Sequence, residues 1–197
     1  MRKLAILLGG ALVLAACQTT PPPPPPPAAP VDLNNPLMAP GFMAQASSGD
    51  QFEIQSSQLA LQASQNVAVR NFANLLIADH TRMSQAMAGA ARSVGLTPPA
   101  PALLPAQQAA LDQLRAAGAG PGFDLAFKNA QIAGHQQALG LMQNYATGGD
   151  VPALRTVASE AIPTVQIHLQ QAQLLNVAPP APPPPPPPPP RRAGERG

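Results

Sequence analysis

The chain has 197 residues, 28 of them proline, with a single cysteine and no tryptophan, and only 10 % of it is charged, against about 25 % in an ordinary globular domain. One cysteine excludes an internal disulfide and a thiolate metal cluster. The formal charge of +2 is no nucleic-acid footprint, because six basic residues meet seven acidic ones between 41 and 177 and the excess sits at the two ends.

Met1-Arg2-Lys3 is a short positive segment, and Leu4 to Leu14 is an apolar run. Such a run is too short for a bilayer span, which takes about 20 residues. It fits a signal peptide over 1–16. The run closes with Leu14-Ala15-Ala16-Cys17, the pattern of a bacterial lipobox. Cleavage there makes Cys17 the first residue and its sulfur the lipid acceptor, so the membrane is an expected partner. Acyl chains contribute about 0.8 kcal/mol per buried CH₂, and several together make attachment stable. Gln18 rather than aspartate follows the cysteine, which points to the outer membrane, facing the periplasm.

Pro21 to Pro27 is unbroken, and Pro30, Pro36 and Pro40 follow. Proline fixes φ and has no N–H, so 17–40 is expected as an extended spacer. At about 3.1 Å per residue it would hold a domain up to about 70 Å from the lipid.

Helical periodicity dominates from 41 to 177. A first helix is expected over about Pro40 to Ala63, with a break at Ser47-Ser48-Gly49 and Asp50 capping the part beyond it. A second runs from about Asn66 to Val94 and stops at Gly95. A short third covers Pro105 to Ala117, and a fourth covers Phe123 to Ala146. The fifth starts with Asp150 as N-cap and Pro152 in its first turn, and runs to about Leu175. Pro163 inside it removes one backbone hydrogen bond and predicts a kink. The chain closes over 178–197 with Pro182 to Pro190 and the basic segment Arg191 to Gly197. Composition makes this a disordered tail, with a cationic tip suited to lipopolysaccharide, peptidoglycan or a protein partner.

Four long helices with one short one predict an all-α fold, a four-helix bundle with an extra short helix. Its polar faces are built from Gln, Ser and Asn rather than charge, as in Gln55-Ser56-Ser57-Gln58.

The three histidines fall on three long helices. Each lies on an apolar line with steps of three and four, the seam of a bundle helix. His80 follows Val69, Ala73 and Leu76. His135 is read on a line with Leu125, Ile132 and Met142, and His168 on one with Ala161, Val165 and Ala172. Glu53 lies on a line of small residues on the first helix (Ala46, Gly49, Ser56, Ala60), so its carboxylate would face the bundle. A buried carboxylate must be paired, protonated or metal-bound.

Two readings follow. In one, the histidines form a hydrogen-bonded polar core with no metal, inside a non-enzymatic structural, stress or interaction module. In the other, Glu53, His80, His135 and His168 hold a transition metal, with Zn, Cu, Ni and Fe all suited to imidazole and carboxylate. Asp79, beside His80, and Asp124, eleven residues before His135, are then candidates to hold an imidazole N–H. A di-iron oxidase site is unsupported, because no Glu-x-x-His occurs. Nor is there a nucleophile elbow, a phosphate loop or a His-Glu-x-x-His motif. Met83, Met87 and Met142 read as gap-filling core. A third reading is a pH sensor, since clustered histidines titrate near pH 6.

The runs Glu53-Ile54, Val69-Arg70-Asn71-Phe72-Ala73, Ala78-Asp79-His80-Thr81, Phe123-Asp124-Leu125-Ala126-Phe127, His135, Ile162-Pro163 and His168-Leu169 together resemble a bacterial family of exported ferritin-like domains. It is a domain of unknown function often labelled outer membrane protein or lipoprotein. The resemblance covers about Gly41 to Leu175. It implies a ferritin-like bundle in the bacterial envelope and matches Glu53, His80, His135 and His168 to the family's motif positions. It implies no activity.

Overall fold

The computed structural model describes residues 32–177. Cys17, both proline tracts and the basic tail lie outside them. Five helices follow in order: α1 (Ala39–Ala63), α2 (Val67–Ser93), α3 (Pro105–Ala116), α4 (Pro121–Gly148) and α5 (Pro152–Leu174). There is no strand among the described residues. The fold is all-α, as the periodicity predicts.

Proline opens four of the five helices: Pro40, Pro105, Pro121 and Pro152 lie in the first turns of α1, α3, α4 and α5. A first-turn N–H has no intrahelical partner, so proline loses nothing there, and its fixed φ suits the helix. The chain therefore uses proline where charged caps are scarce. Only α2 begins with a capping side chain, Asn66, which accepts from the N–H of Ala68 at 2.9 Å. Gly95, at φ 76°, supplies the left-handed residue after α2.

Three local expectations are corrected. Helix α1 runs unbroken through Ser47-Ser48-Gly49, so Asp50 sits in its middle and caps nothing. The two serines are buried, and the Ser48 hydroxyl accepts from the N–H of Leu104 at 2.7 Å, tying the α2–α3 connection to α1. Val151 rather than Asp150 is the N-cap of α5, and the Asp150 carboxylate instead accepts from the Tyr145 hydroxyl at 2.8 Å. The inward line of α4 is Phe123, Phe127, Gln131, His135, Met142 and Tyr145. Leu125 is exposed, because the large aromatic rings rather than the first available aliphatics claim the interior. Helix α5 is continuous through Pro163, which lies on its exposed side.

Helices α1 and α2 pack together, as do α4 and α5, and α1 also meets α4 while α2 meets α5. The core has two apolar clusters. One holds Phe52, Leu76, Leu111, Leu114, Phe123 and Phe127. The other holds Phe42, Met43, Met87, Tyr145, Leu154 and Ala158. The order in which each helix visits them fixes the topology. Helices α1 and α5 run from the second cluster to the first, and α2 and α4 run from the first to the second. The parallel pair α2 and α4 needs a connection that returns the length of the bundle, and residues 94–120 make it. This single crossover carries α3, which packs on α1 and α4. One long crossover is the connectivity of ferritin-like bundles.

Candidate metal centre

Between the two apolar clusters all four long helices turn polar. Helix α1 buries Asp50, Glu53 and Ser56, α2 buries Asp79 and His80, α4 buries Gln131 and His135, and α5 buries His168. The three imidazoles come together there. Their ring centroids lie 5.3 to 5.5 Å apart in all three pairings.

Each imidazole has one nitrogen facing an oxygen that can only accept. His80 Nδ1 lies 2.8 Å from Asp50 Oδ1, His168 Nε2 lies 2.8 Å from Asp79 Oδ2, and His135 Nδ1 lies 2.8 Å from the carbonyl oxygen of Gln131. Those nitrogens must carry hydrogen and donate it. The opposite nitrogens (His80 Nε2, His135 Nε2 and His168 Nδ1) are buried without any partner. In a neutral imidazole these are the atoms with a lone pair. One nitrogen from each ring lies within 4.8 Å of the others. A common point for three such atoms is no more than about 2.8 Å from each, against roughly 2.0–2.1 Å for a zinc–imidazole bond. A small inward movement of the rings would close the difference.

The acceptors are themselves held. Asp50 Oδ2 accepts from the Ser84 hydroxyl at 2.7 Å, and Asp79 Oδ1 accepts from Arg82. An acceptor behind an imidazole fixes its tautomer and raises its basicity as a ligand.

The sequence-derived candidates are only partly reassembled. His80, His135 and His168 form the group. Asp79 supports His168 on α5 rather than its neighbour His80, because adjacent residues on a helix point about 100° apart. Glu53 stands beside the group and outside the shared distance. Its Oε1 is 3.8 Å from His135 Nδ1, the nitrogen already committed to Gln131, and its Oε2 has no partner. Asp124 is not at the centre. Three helical turns, about 16 Å of rise, separate it from His135, and it is buried in the first turn of α4 beside Phe123. Asp50 and Gln131 were missed as supports. The signals were present: Asp50 is three residues before Glu53 on one helix face, and Gln131 is one turn before His135.

Burial pushes the His135 pKa down to about 3, and the charge on nearby His80 adds to this. Burial also lowers His168, where the hydrogen bond to Asp79 opposes it and His80 reinforces it. His80 behaves differently. Burial opposes its charge, but the hydrogen bond to Asp50 and the nearby carboxylates of Glu53 and Asp79 outweigh that and raise its pKa. Burial raises Glu53 to about 7, partly offset by His80.

A family described as a domain of unknown function (DUF4142) matches residues 22–175. This chain belongs to the DUF4142 family. Comparison with curated proteins gave no match. Three solved structures share the fold. "CopM in the Cu(II)-bound form" aligns at a TM-score of 0.58 and 20 % identity, covering 70 % of this chain and 94 % of that one. "CopM in the Ag-bound form" aligns at 0.55 and 21 %, covering 70 % and 93 %. "CopM in the apo form" aligns at 0.56 and 21 %, covering 70 % and 94 %. At such identities the likeness shows the DUF4142 domain's fold alone. No described helix of this DUF4142 chain is long and apolar enough to cross a membrane.

Proposed function

We propose that this domain is a non-enzymatic metal-binding module of the bacterial envelope, holding one transition-metal ion on His80, His135 and His168. One observation carries the reading. Three buried imidazoles each have one nitrogen committed to an acceptor and the other bare, and one nitrogen of each lies within 4.8 Å of the rest. A polar core serving stability alone would pair both nitrogens, since a buried unpaired polar group costs about 1–3 kcal/mol. Neutral imidazole suits Zn, Cu, Ni and Fe, and among divalent ions Cu(II) binds such sites most tightly. Structures of similar fold with Cu(II) and Ag bound support copper as the first ion to test.

The envelope setting rests on the sequence. Cleavage after Ala16 and lipid on Cys17 would anchor the chain to the outer membrane, with the proline spacer carrying the bundle into the periplasm. The Pro/Arg tail would reach an envelope polymer or protein. Fatty-acid labelling that disappears in Cys17→Ser tests the anchor.

Metal content tests the centre. The mature chain, loaded with Cu(II) or Zn(II) and then dialysed, should retain one ion per chain by elemental analysis. His80→Ala should lose it. No retained ion in the wild type would reject the proposal. A second reading, a pH-responsive bundle, is favoured by Glu53, which burial raises to about 7, beside His80, which Asp50 and the nearby carboxylates raise. It would gain if stability changed with pH while metal had no effect.

A further inference from the structure

A cleft of about 880 Å³ lies between α1 and α4 under the crossover helix α3. Among the three histidines only His80 lines it, together with Asp50 and Glu53. No lysine or arginine among the described residues lines it. Its walls are mostly alanine, leucine and neutral amides, and its only carboxylates among the described residues are the buried Asp50 and Glu53.

Two oxygens on this cleft are buried without a partner: Oε2 of Glu53 on α1 and Oε1 of Gln107 on α3. Glu53 is only 4 % exposed. Its place is made by a missing side chain. A Cβ at Gly134 would come within 2.7 Å of Glu53 Oε1. Glycine in a helix interior costs about 1 kcal/mol relative to alanine, and here it leaves room for the carboxylate. The second cavity, about 190 Å³, also reaches Asp50, but Arg82 lines it, and it holds no buried unpartnered oxygen.

We infer that this cleft is the entry path for a transition-metal cation and that Glu53 is the carboxylate that receives the ion before the histidines take it. The inference rests on the three-histidine reading and adds a route to it. A hydrated cation moving inward must exchange water for protein oxygens. Gln107 offers a carbonyl oxygen on the way, and Glu53 offers its carboxyl at the inner end. Glu53 adjoins the cluster: its Oε1 is 3.8 Å from His135 Nδ1, one ring away from the bare Nε2. A cleft lined by one sign of charge raises the local concentration of its counter-ion and its on-rate by about 10- to 1000-fold. An entry residue changes loading and release together, so it alters rates more than final occupancy.

Stopped-flow mixing of the mature chain with Cu(II), followed by the copper absorption band, tests this. Glu53→Gln keeps the shape and removes the charge. It should slow loading at least about tenfold while leaving the EPR spectrum of the bound copper unchanged. Ala133→Phe, an exposed position on α4 that lines the cleft, should slow loading similarly, with one ion per chain still bound at equilibrium. Unchanged loading rates in both variants, with normal wild-type stoichiometry, would overturn the entry path and leave the three-histidine centre standing. A changed EPR spectrum in Glu53→Gln would also overturn it, because Glu53 would then be a ligand of the final centre. Failure of the wild type to bind copper at all would overturn both.

Discussion

The two ends of the bundle and the layer between them follow different rules. The ends are conventional: Phe123 and Phe127 stack at 6.0 Å in one, and Phe42 lies 3.8 Å from the Tyr145 ring in the other. The middle layer buries three imidazoles and several carboxylates at the same depth. Apolar burial at the ends contributes the stability, at roughly 25 cal/mol per Å². That surplus lets the middle keep groups whose desolvation is unfavourable. Unfavourable polar burial in this protein is therefore placed between two apolar cores, on four helices rather than on a loop.

The largest effect should come from the ends. Phe127→Ala removes a fully buried ring and should cost about 3–5 kcal/mol in urea unfolding, equally with and without metal. A loss that depended on metal would mean the ends and the middle are not separable. Close to it in size is the effect of filling the middle. At free Cu(II) a thousandfold above its dissociation constant, the folded state should gain about 4 kcal/mol, seen as a higher thermal midpoint in the wild type and absent in His135→Leu. An equal gain in both would place the ion elsewhere.

Smaller changes probe the supports of the layer. Asp50→Asn keeps a hydrogen-bond acceptor near His80 Nδ1 but removes the charge. Affinity for Cu(II) should fall about 10- to 100-fold, while Asp124→Asn, on the remote turn of α4, should leave it unchanged. Equal losses in a competition titration would contradict the assigned geometry.

The smallest effect is the pH response of the metal-free protein. His135 at about 3, against 6.5 unfolded, and His168, also lowered, make the unfolded chain bind more protons below pH 6.5, so stability falls on acidification. Glu53 at about 7, against 4.5 unfolded, and the raised His80 act in the opposite sense. The folded chain retains their protons, and stability falls as pH rises above 4.5 for Glu53 and above 6.5 for His80. Between 4.5 and 6.5 the two senses oppose each other, and above 6.5 only the decline from Glu53 and His80 remains. Urea midpoints at pH 6.5 should exceed those at pH 8 without metal. Bound metal should reverse that slope, since its ligands must be deprotonated. The same slope in both states would show that the cluster titrates without exchanging protons for metal.

Much of this was legible beforehand because helical periodicity is local. The steps of three and four that carry His80 and His168 also carry their buried neighbours, so both seams were readable from one strand of text. The α4 seam was not, since Leu125 and Phe127 compete for the interior and only packing against Phe52 and Phe72 decides between them. Asp50 looked like a cap because Ser-Ser-Gly precedes it. Buried contacts to the α2–α3 connection kept that segment helical and turned the carboxylate toward His80.

The amino-acid sequence by itself determined an all-helical domain, the proline starts of α1, α3 and α5 and the inward placement of His80 and His168, because each depends on residues within a few turns of one another. Only the tertiary structure decided which nitrogen of each ring is free, that Glu53 faces a cleft rather than the shared point, and that Asp79 serves a helix 89 residues away. Those depend on how four helices rotate and register against one another, which the packing of whole side chains sets and no single helix contains.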